Sequence, residues 1–319
     1  MKLVITARDF STGSPRPLSL LEGSGLTIED HSTEGFSTST SVETMYDVLK
    51  DADLAISGLE PYPRALIERL PNLKLISRRS IGYDSVDLDA CRDHGVTVCR
   101  ALGAIEGACA ELVMAYVLYF ARRVHEQNAQ MQQGIWQRNY TSGTSGKTLG
   151  LVGFGGIGKE VALRAVPFGM RVLYYCRHPR PEWEEQYRVH YAPLDQLLAE
   201  SDYVSANMPL TDETRRMFNA ERFAQMKPGS VFINTARGPV MDAKALRAAL
   251  ESGHLAGAGV DAYDSEPCTD SPLAGCPNAV LTPHTASFTN EAFTRLNEVA
   301  AQNLLDFLAG HLSEKNRLV

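Results

Sequence analysis

Paired cysteines, long apolar runs and an excess of basic residues are all missing from this chain, and each absence closes off a class of function. Its six cysteines (Cys91, Cys99, Cys109, Cys176, Cys268 and Cys276) include no Cys-x-x-Cys pair. Neither a disulfide framework nor a zinc site is indicated, so reduced thiols in a cytoplasmic, metal-free protein are expected. No window approaches the ~18 apolar residues of a membrane span. The opening Met1-Lys2-Leu3-Val4-Ile5-Thr6-Ala7-Arg8-Asp9 carries too short an apolar run for a signal peptide. Lys and Arg total 31 against 38 Asp and Glu, a net charge of −7. Such a balance argues against a general nucleic-acid or membrane surface, and any anionic ligand must be met by locally gathered cations. Repeats and low-complexity tracts are also lacking.

What the chain does have is length and one strong motif. Its 319 residues exceed one ordinary domain and suit two. The motif is Thr148-Leu149-Gly150-Leu151-Val152-Gly153-Phe154-Gly155-Gly156-Ile157-Gly158, an apolar run followed by Gly153-x-Gly155-x-x-Gly158. A helical pattern with Val161, Ala162, Ala165 and Val166 on one face follows, then a second strand over Arg171 to Tyr175. Gly153 permits the tight turn, Gly155 the approach of a pyrophosphate, and Gly158 the close packing of helix on strand. Amides at the helix start then face the phosphates. The expectation is a dinucleotide site.

Upstream, strands are expected over residues 3–7, 26–28, 54–56, 73–77 and 96–98. Helices are expected from Ser41, over Arg64 to Leu70 and over Val86 to His94. Strands alternating with helices imply a parallel sheet covered on both faces, hence an α/β domain. A helix apolar nearly all round runs from Ile105 to Val124, and the polar stretch Gln127 to Gly146 reads as an arm or linker carrying Trp136. Further strands are expected over Tyr203 to Ala206, Val231 to Thr235, Ala258 to Asp261 and Val280 to Thr282, with helices between them, including Ala243 to Ser252. A last helix, Asn290 to Leu308, is expected to cross back to the first domain. The expected division is 1–101 with 288–319 as one domain and 102–287 as the dinucleotide domain.

Three segments each end a predicted strand with a reactive side chain: Asn234-Thr235-Ala236-Arg237-Gly238, Gly259-Val260-Asp261-Ala262-Tyr263-Asp264-Ser265-Glu266-Pro267, and Leu281-Thr282-Pro283-His284-Thr285-Ala286-Ser287. In an open parallel sheet ligands bind beyond the carboxyl ends of the strands. An arginine there clamps a carboxylate and polarises a carbonyl, a histidine moves the proton, and a paired glutamate orients the ring and favours its charged form. Singly, each of these residues is more often an ion-paired, looped or solvated side chain; the combination downstream of a nucleotide fingerprint points to chemistry.

Over essentially its full length the chain resembles the D-isomer-specific 2-hydroxyacid dehydrogenase family. The matching pieces are Ser80-Ile81-Gly82-Tyr83-Asp84-Ser85-Val86-Asp87, the glycine fingerprint, Met208-Pro209-Leu210-Thr211, Lys227-Pro228-Gly229 and the three segments above. The resemblance implies a Rossmann-type dinucleotide domain plus a flavodoxin-like substrate domain, with the site in the cleft. It implies that Ser80, Ile81 and Gly82 offer amides to the substrate carboxylate, Arg237 holds carboxylate and carbonyl, His284 is the acid/base and Glu266 its partner. It places Gly153, Phe154, Gly155, Gly156, Ile157, Gly158, Cys176, Arg177, Met208, Pro209, Thr214, Thr235, Ala236, Asp261 and His284 around the cofactor. Formate dehydrogenases of the family have glutamine where Glu266 stands, which disfavours that branch. A homodimer is implied by the same analogy.

One departure bears on the cofactor. NAD-using members commonly end the second strand on an acidic residue, and here Val172-Leu173-Tyr174-Tyr175-Cys176-Arg177 puts Cys176 there. With the repelling carboxylate gone and Arg177 beside it, NADP(H) is favoured, with NAD(H) the alternative. The expected reaction is reduction of a small 2-keto acid, glyoxylate or hydroxypyruvate first. The runner-up is 3-phosphohydroxypyruvate, with Arg78 and Arg79 either reaching its phosphate or standing as solvated strand-end charges. A dinucleotide-sensing corepressor is the reading from another class, disfavoured because no basic or disordered tail is seen.

Overall fold

The structure, a computed structural model, describes residues 1–12 and 14–319. The chain divides into two compact units, Met1–Ile105 with Phe288–Val319, and Glu106–Ser287. In chain order the elements begin β1 (Lys2–Ile5), α1 (Arg16–Leu21), β2 (Thr27–Asp30), α2 (Val42–Leu49), β3 (Leu54–Ser57), α3 (Arg64–Ile67), β4 (Leu75–Arg78), α4 (Leu88–Asp93) and β5 (Thr97–Arg100). They continue with α5 (Glu106–Arg122), α6 (Val124–Gln132), β6 (Thr148–Val152), α7 (Gly156–Ala165), β7 (Arg171–Tyr175), α8 (Pro181–Tyr187), β8 (His190–Tyr191), α9 (Leu194–Glu200) and β9 (Tyr203–Ala206). The last are α10 (Ala220–Gln225), β10 (Val231–Asn234), α11 (Ala243–Glu251), β11 (Gly257–Val260), β12 (Ala279–Leu281) and α12 (Asn290–Leu308).

The first unit is a five-stranded sheet in the order β2-β1-β3-β4-β5, with every ladder parallel. This is the flavodoxin-like order. Strand alternation sends Leu3, Ile5, Leu54, Ile56 and Leu75 to one side, against Ala300, Ala301 and Leu304 of α12. Val4, Ala55, Ile76 and Val98 point the other way, onto Met45, Leu49, Leu66 and Ala90. A parallel sheet needs both faces covered, and here both are. Helix starts are fixed by side chains: Ser41 accepts from Thr44 N–H, Asp87 from Ala90 N–H and Thr289 from Ala292 N–H.

The second unit is a seven-stranded parallel sheet, β12-β11-β10-β9-β6-β7-β8, the Rossmann order with one strand added beyond the sixth. The strand order reverses between β6 and β9, and the glycine fingerprint leaves the sheet at that point. Here α5 packs on α7, burying Val113, Tyr116 and Val117 among Leu149, Leu151, Val161 and Ala165.

Two expectations need correction. The long helix ends at Arg122, and Arg123 takes a left-handed φ of 48° before α6 begins. The first residues of the stretch read as a linker are therefore helical. No residue of α6 is buried, so the apolar periodicity that reveals helices is not present. β8 carries no signal either, because it is a two-residue edge strand with both side chains exposed.

Candidate active site

The glycine fingerprint is built by backbone. Gly153 N–H donates to Tyr175 C=O at 2.9 Å and Asn207 N–H to Val152 C=O at 2.7 Å, tying the ends of β6, β7 and β9. Gly153 has φ +99°, and a Cβ there would lie 2.7 Å from the Asn207 carbonyl carbon and from Met208 N. A Cβ on Gly158 would lie 2.5 Å from Gly153 O. Only glycine allows both approaches. Among the described residues no side chain caps α7, so the first amides at Gly156 and Ile157 are left for an anion. The Phe154 ring is buried against Tyr174 and Trp183, and only its backbone remains for a ligand.

Beyond β7, burial pushes the Cys176 thiol up from its ordinary pKa. Arg177 pairs with Glu213 at 3.3 Å, both well exposed. Lys159 stands 4.2 Å over the Trp183 ring, with Arg180 against the same ring. Burial and the charge of Arg180 pull the Lys159 ammonium down. On the loop after β9, Met208 is buried and the Thr214 hydroxyl donates to Pro209 C=O at 2.7 Å.

The three reactive segments end the neighbouring strands β10, β11 and β12. Asn234, fully buried, accepts from Ala236 N–H at 3.0 Å and donates to Arg237 C=O at 3.0 Å, which fixes the turn Thr235-Ala236-Arg237. Within it the buried Thr235 hydroxyl has no hydrogen-bond partner. Asp261, also fully buried, accepts from the Thr282 hydroxyl, from Thr285 N–H at 2.8 Å and from Ala286 N–H at 2.9 Å. It thereby holds the loop that carries His284, itself at φ +52°.

His284 Nδ1 lies 2.6 Å from Glu266 Oε2, and Tyr263 N–H donates to Glu266 Oε1 at 2.9 Å. Burial pulls the Glu266 pKa up, but the hydrogen bonds from His284 and Tyr263 outweigh it, with the charges of His284 and Arg237 adding to them. The balance lies below the ordinary 4.5. An ionised carboxylate only accepts, so Nδ1 carries the proton and Nε2 faces the other way, able to give or take one. A cavity of about 420 Å³ opens beside the pair, lined also by Tyr263, Cys268, Leu281 and Pro283.

Ser80, Ile81 and Gly82 belong to the other unit, following β4. The Ser80 hydroxyl donates to Gly82 C=O at 2.7 Å. Arg78 is not a solvated charge: it is 1 % exposed and donates to Glu60 C=O at 2.9 Å and to Ser85 Oγ at 3.0 Å. Arg79 stacks 4.4 Å from the Phe293 ring centroid, and burial pulls its pKa down to about 10. All six cysteines are free thiols, and burial pushes Cys109 up to about 12.

Residues 114–286 match the family model described as the D-isomer specific 2-hydroxyacid dehydrogenase NAD binding domain. The chain is 40% identical over 283 residues to a glyoxylate/hydroxypyruvate reductase B of Shigella boydii, covering 86% of this chain and 87% of that one. It is 39% identical over 258 residues to a glyoxylate reductase of Thermococcus litoralis, 78% of each. A solved structure from Thermus thermophilus superposes with TM-score 0.86 at 38% identity, covering 100% of both chains. The chain belongs to the D-isomer-specific 2-hydroxyacid dehydrogenases.

As a 2-hydroxyacid dehydrogenase it is an oxidoreductase with an NAD-binding domain. The residues present fit a dinucleotide: the Gly153 cradle admits no side chain, the α7 amides lack a cap, and the Thr235 hydroxyl is orphaned in the turn before Arg237. Two structural roles are not evident in the sequence. Asn234 pins the arginine turn, and Asp261, expected only at the cofactor, pins the histidine loop. A polar residue closing an apolar strand is the signal that marks both. Among the described residues no group of three or more His, Cys, Asp or Glu is placed to hold a metal ion. No helix among them is long and apolar enough to cross a membrane.

Proposed function

We propose that this dehydrogenase reduces a small 2-keto acid, glyoxylate to glycolate or hydroxypyruvate to D-glycerate, with NADPH preferred and His284 as the acid. The observation that carries the proposal is the 2.6 Å contact of His284 with Glu266, one strand away from the arginine turn. Glu266 fixes the ring so that Nε2 presents a proton to the substrate oxygen. Arg237 clamps the carboxylate through its planar fork and polarises the carbonyl, and the family resemblance assigns the backbone of Ser80, Ile81 and Gly82 to substrate binding. Gly153, Gly155, Gly156, Ile157 and Gly158 hold the cofactor diphosphate, while Thr235, Ala236 and Asp261 attend its nicotinamide end. The bound dihydronicotinamide supplies the hydride. A rate panel of glyoxylate, hydroxypyruvate, 3-phosphohydroxypyruvate and bulkier keto acids tests the substrate class. The two small acids are expected to lead, since Arg78 is buried on Glu60 and Ser85 and Arg79 is half-buried against Phe293; a preference for the phosphorylated acid contradicts this.

The sequence similarity to two reductases of such acids supports the reading. The cations at the end of β7 support NADPH. A homodimer belongs to the same proposal, supported by Met131, Ile135, Trp136 and Tyr140, all exposed on α6 and the segment that follows. So does a cytoplasmic location, supported by six free thiols.

A further inference from the structure

Arg216 itself is given no role by the functional reading, yet it touches the two loops that carry Arg237 and Glu266. It sits at φ +54° on the loop after β9. Its N–H donates to Pro239 C=O at 2.8 Å, and its guanidinium donates to Met241 C=O and, at 2.7 Å, to Asp264 Oδ2. Pro239 and Met241 belong to the turn that leaves Arg237. Asp264 follows Tyr263, whose N–H holds Glu266. The two loops are already in backbone contact, because a Cβ on Gly238 would fall 1.9 Å from the Tyr263 carbonyl carbon.

We infer that Arg216, with Asp264, is a positioning pair that sets the arginine turn and the glutamate loop in register, an inference that rests on the functional reading of Arg237, Glu266 and His284. Two bonds from one rigid guanidinium fix a distance between loops, which a single flexible ammonium does not. Arg216 and Asp264 are nearly half exposed, with side-chain exposures of 45% and 46%. An exposed ion pair adds little to global stability. Its geometric effect is larger, since small misplacements of substrate-holding groups are costly to rate.

The experiment compares wild type, Arg216→Met, Asp264→Ala and the double variant. Measured are keto-acid kcat/KM, NADPH affinity by fluorescence titration, and melting temperature. Each single variant is expected to lose roughly 10-fold in kcat/KM, and the double variant no more than the worse single, because the pair acts as one unit. Cofactor affinity and melting temperature are expected to stay nearly unchanged. Unaltered kcat/KM overturns the inference, as does a loss matched by equal losses in cofactor binding or melting temperature, or full additivity of the two substitutions. Failure of the functional reading is distinguishable, since wild type would then reduce none of the keto acids.

Discussion

In the proposed reaction Glu266 is the residue on which the proton chemistry rests, because its carboxylate accepts from His284 Nδ1 and so orients the ring. Its carboxyl titrates below 4.5 in the folded protein. A group whose folded pKa is depressed stabilises the fold above its unfolded pKa, and that contribution is lost as pH falls through the folded value. Glu266→Gln lacks the charge at every pH. The stability gap between wild type and Glu266→Gln, read from urea midpoints, is therefore expected to narrow from about pH 6 to about pH 3. A gap that widens on acidification contradicts the ionised Glu266 carboxylate. The gap itself is small, because the pair is more than one-third exposed at the histidine.

At the scale of elements, the proposed NADPH preference rests on the end of β7. A carboxylate at the Cys176 position would accept from both ribose hydroxyls and repel a 2′-phosphate, and cysteine does neither. Arg177 is held by Glu213, but an exposed pair is worth little, and a 2′-phosphate is expected to displace it. One charge-assisted contact contributes ~1.5–3 kcal/mol, or about 10- to 150-fold. The kcat/KM ratio is expected to favour NADPH over NADH in that range, and Cys176→Asp with Arg177→Ala to reverse it. A ratio favouring NADH in the unmodified protein contradicts the assignment. What the sequence made legible at this scale follows from burial. β3, β9 and β10 are buried along their whole length and read as short apolar runs, while α6 and β8 bury nothing and left no pattern. The loops that carry Arg237, Glu266 and His284 were legible because each follows a short apolar strand, β10, β11 or β12. The Arg216 clamp was not, since its partner Asp264 lies 48 residues away and neither residue type announces a pairing at that distance. Arg78 misled for a related reason: a charge at a strand end suggests solvent or ligand, and nothing local shows the Glu60 carbonyl and Ser85 hydroxyl that receive it.

For the whole molecule, one unit is a Rossmann sheet that carries Arg237, Glu266 and His284 beyond adjacent strands, and the other is a flavodoxin-like sheet followed at β4 by the Ser80–Gly82 loop. The central claim is that these side chains reduce a small 2-keto acid with His284 supplying the proton. Hydroxypyruvate tests it directly, because its product has a handedness. NADPH oxidation with hydroxypyruvate is to be followed in wild type and in His284→Ala, with the glycerate formed assigned as D or L and cofactor binding measured alongside. Wild type is expected to yield D-glycerate, and His284→Ala to turn over roughly 10²–10⁴ more slowly with its cofactor affinity intact. An L product, no turnover by wild type, or His284→Ala turning over at the wild-type rate would contradict the account.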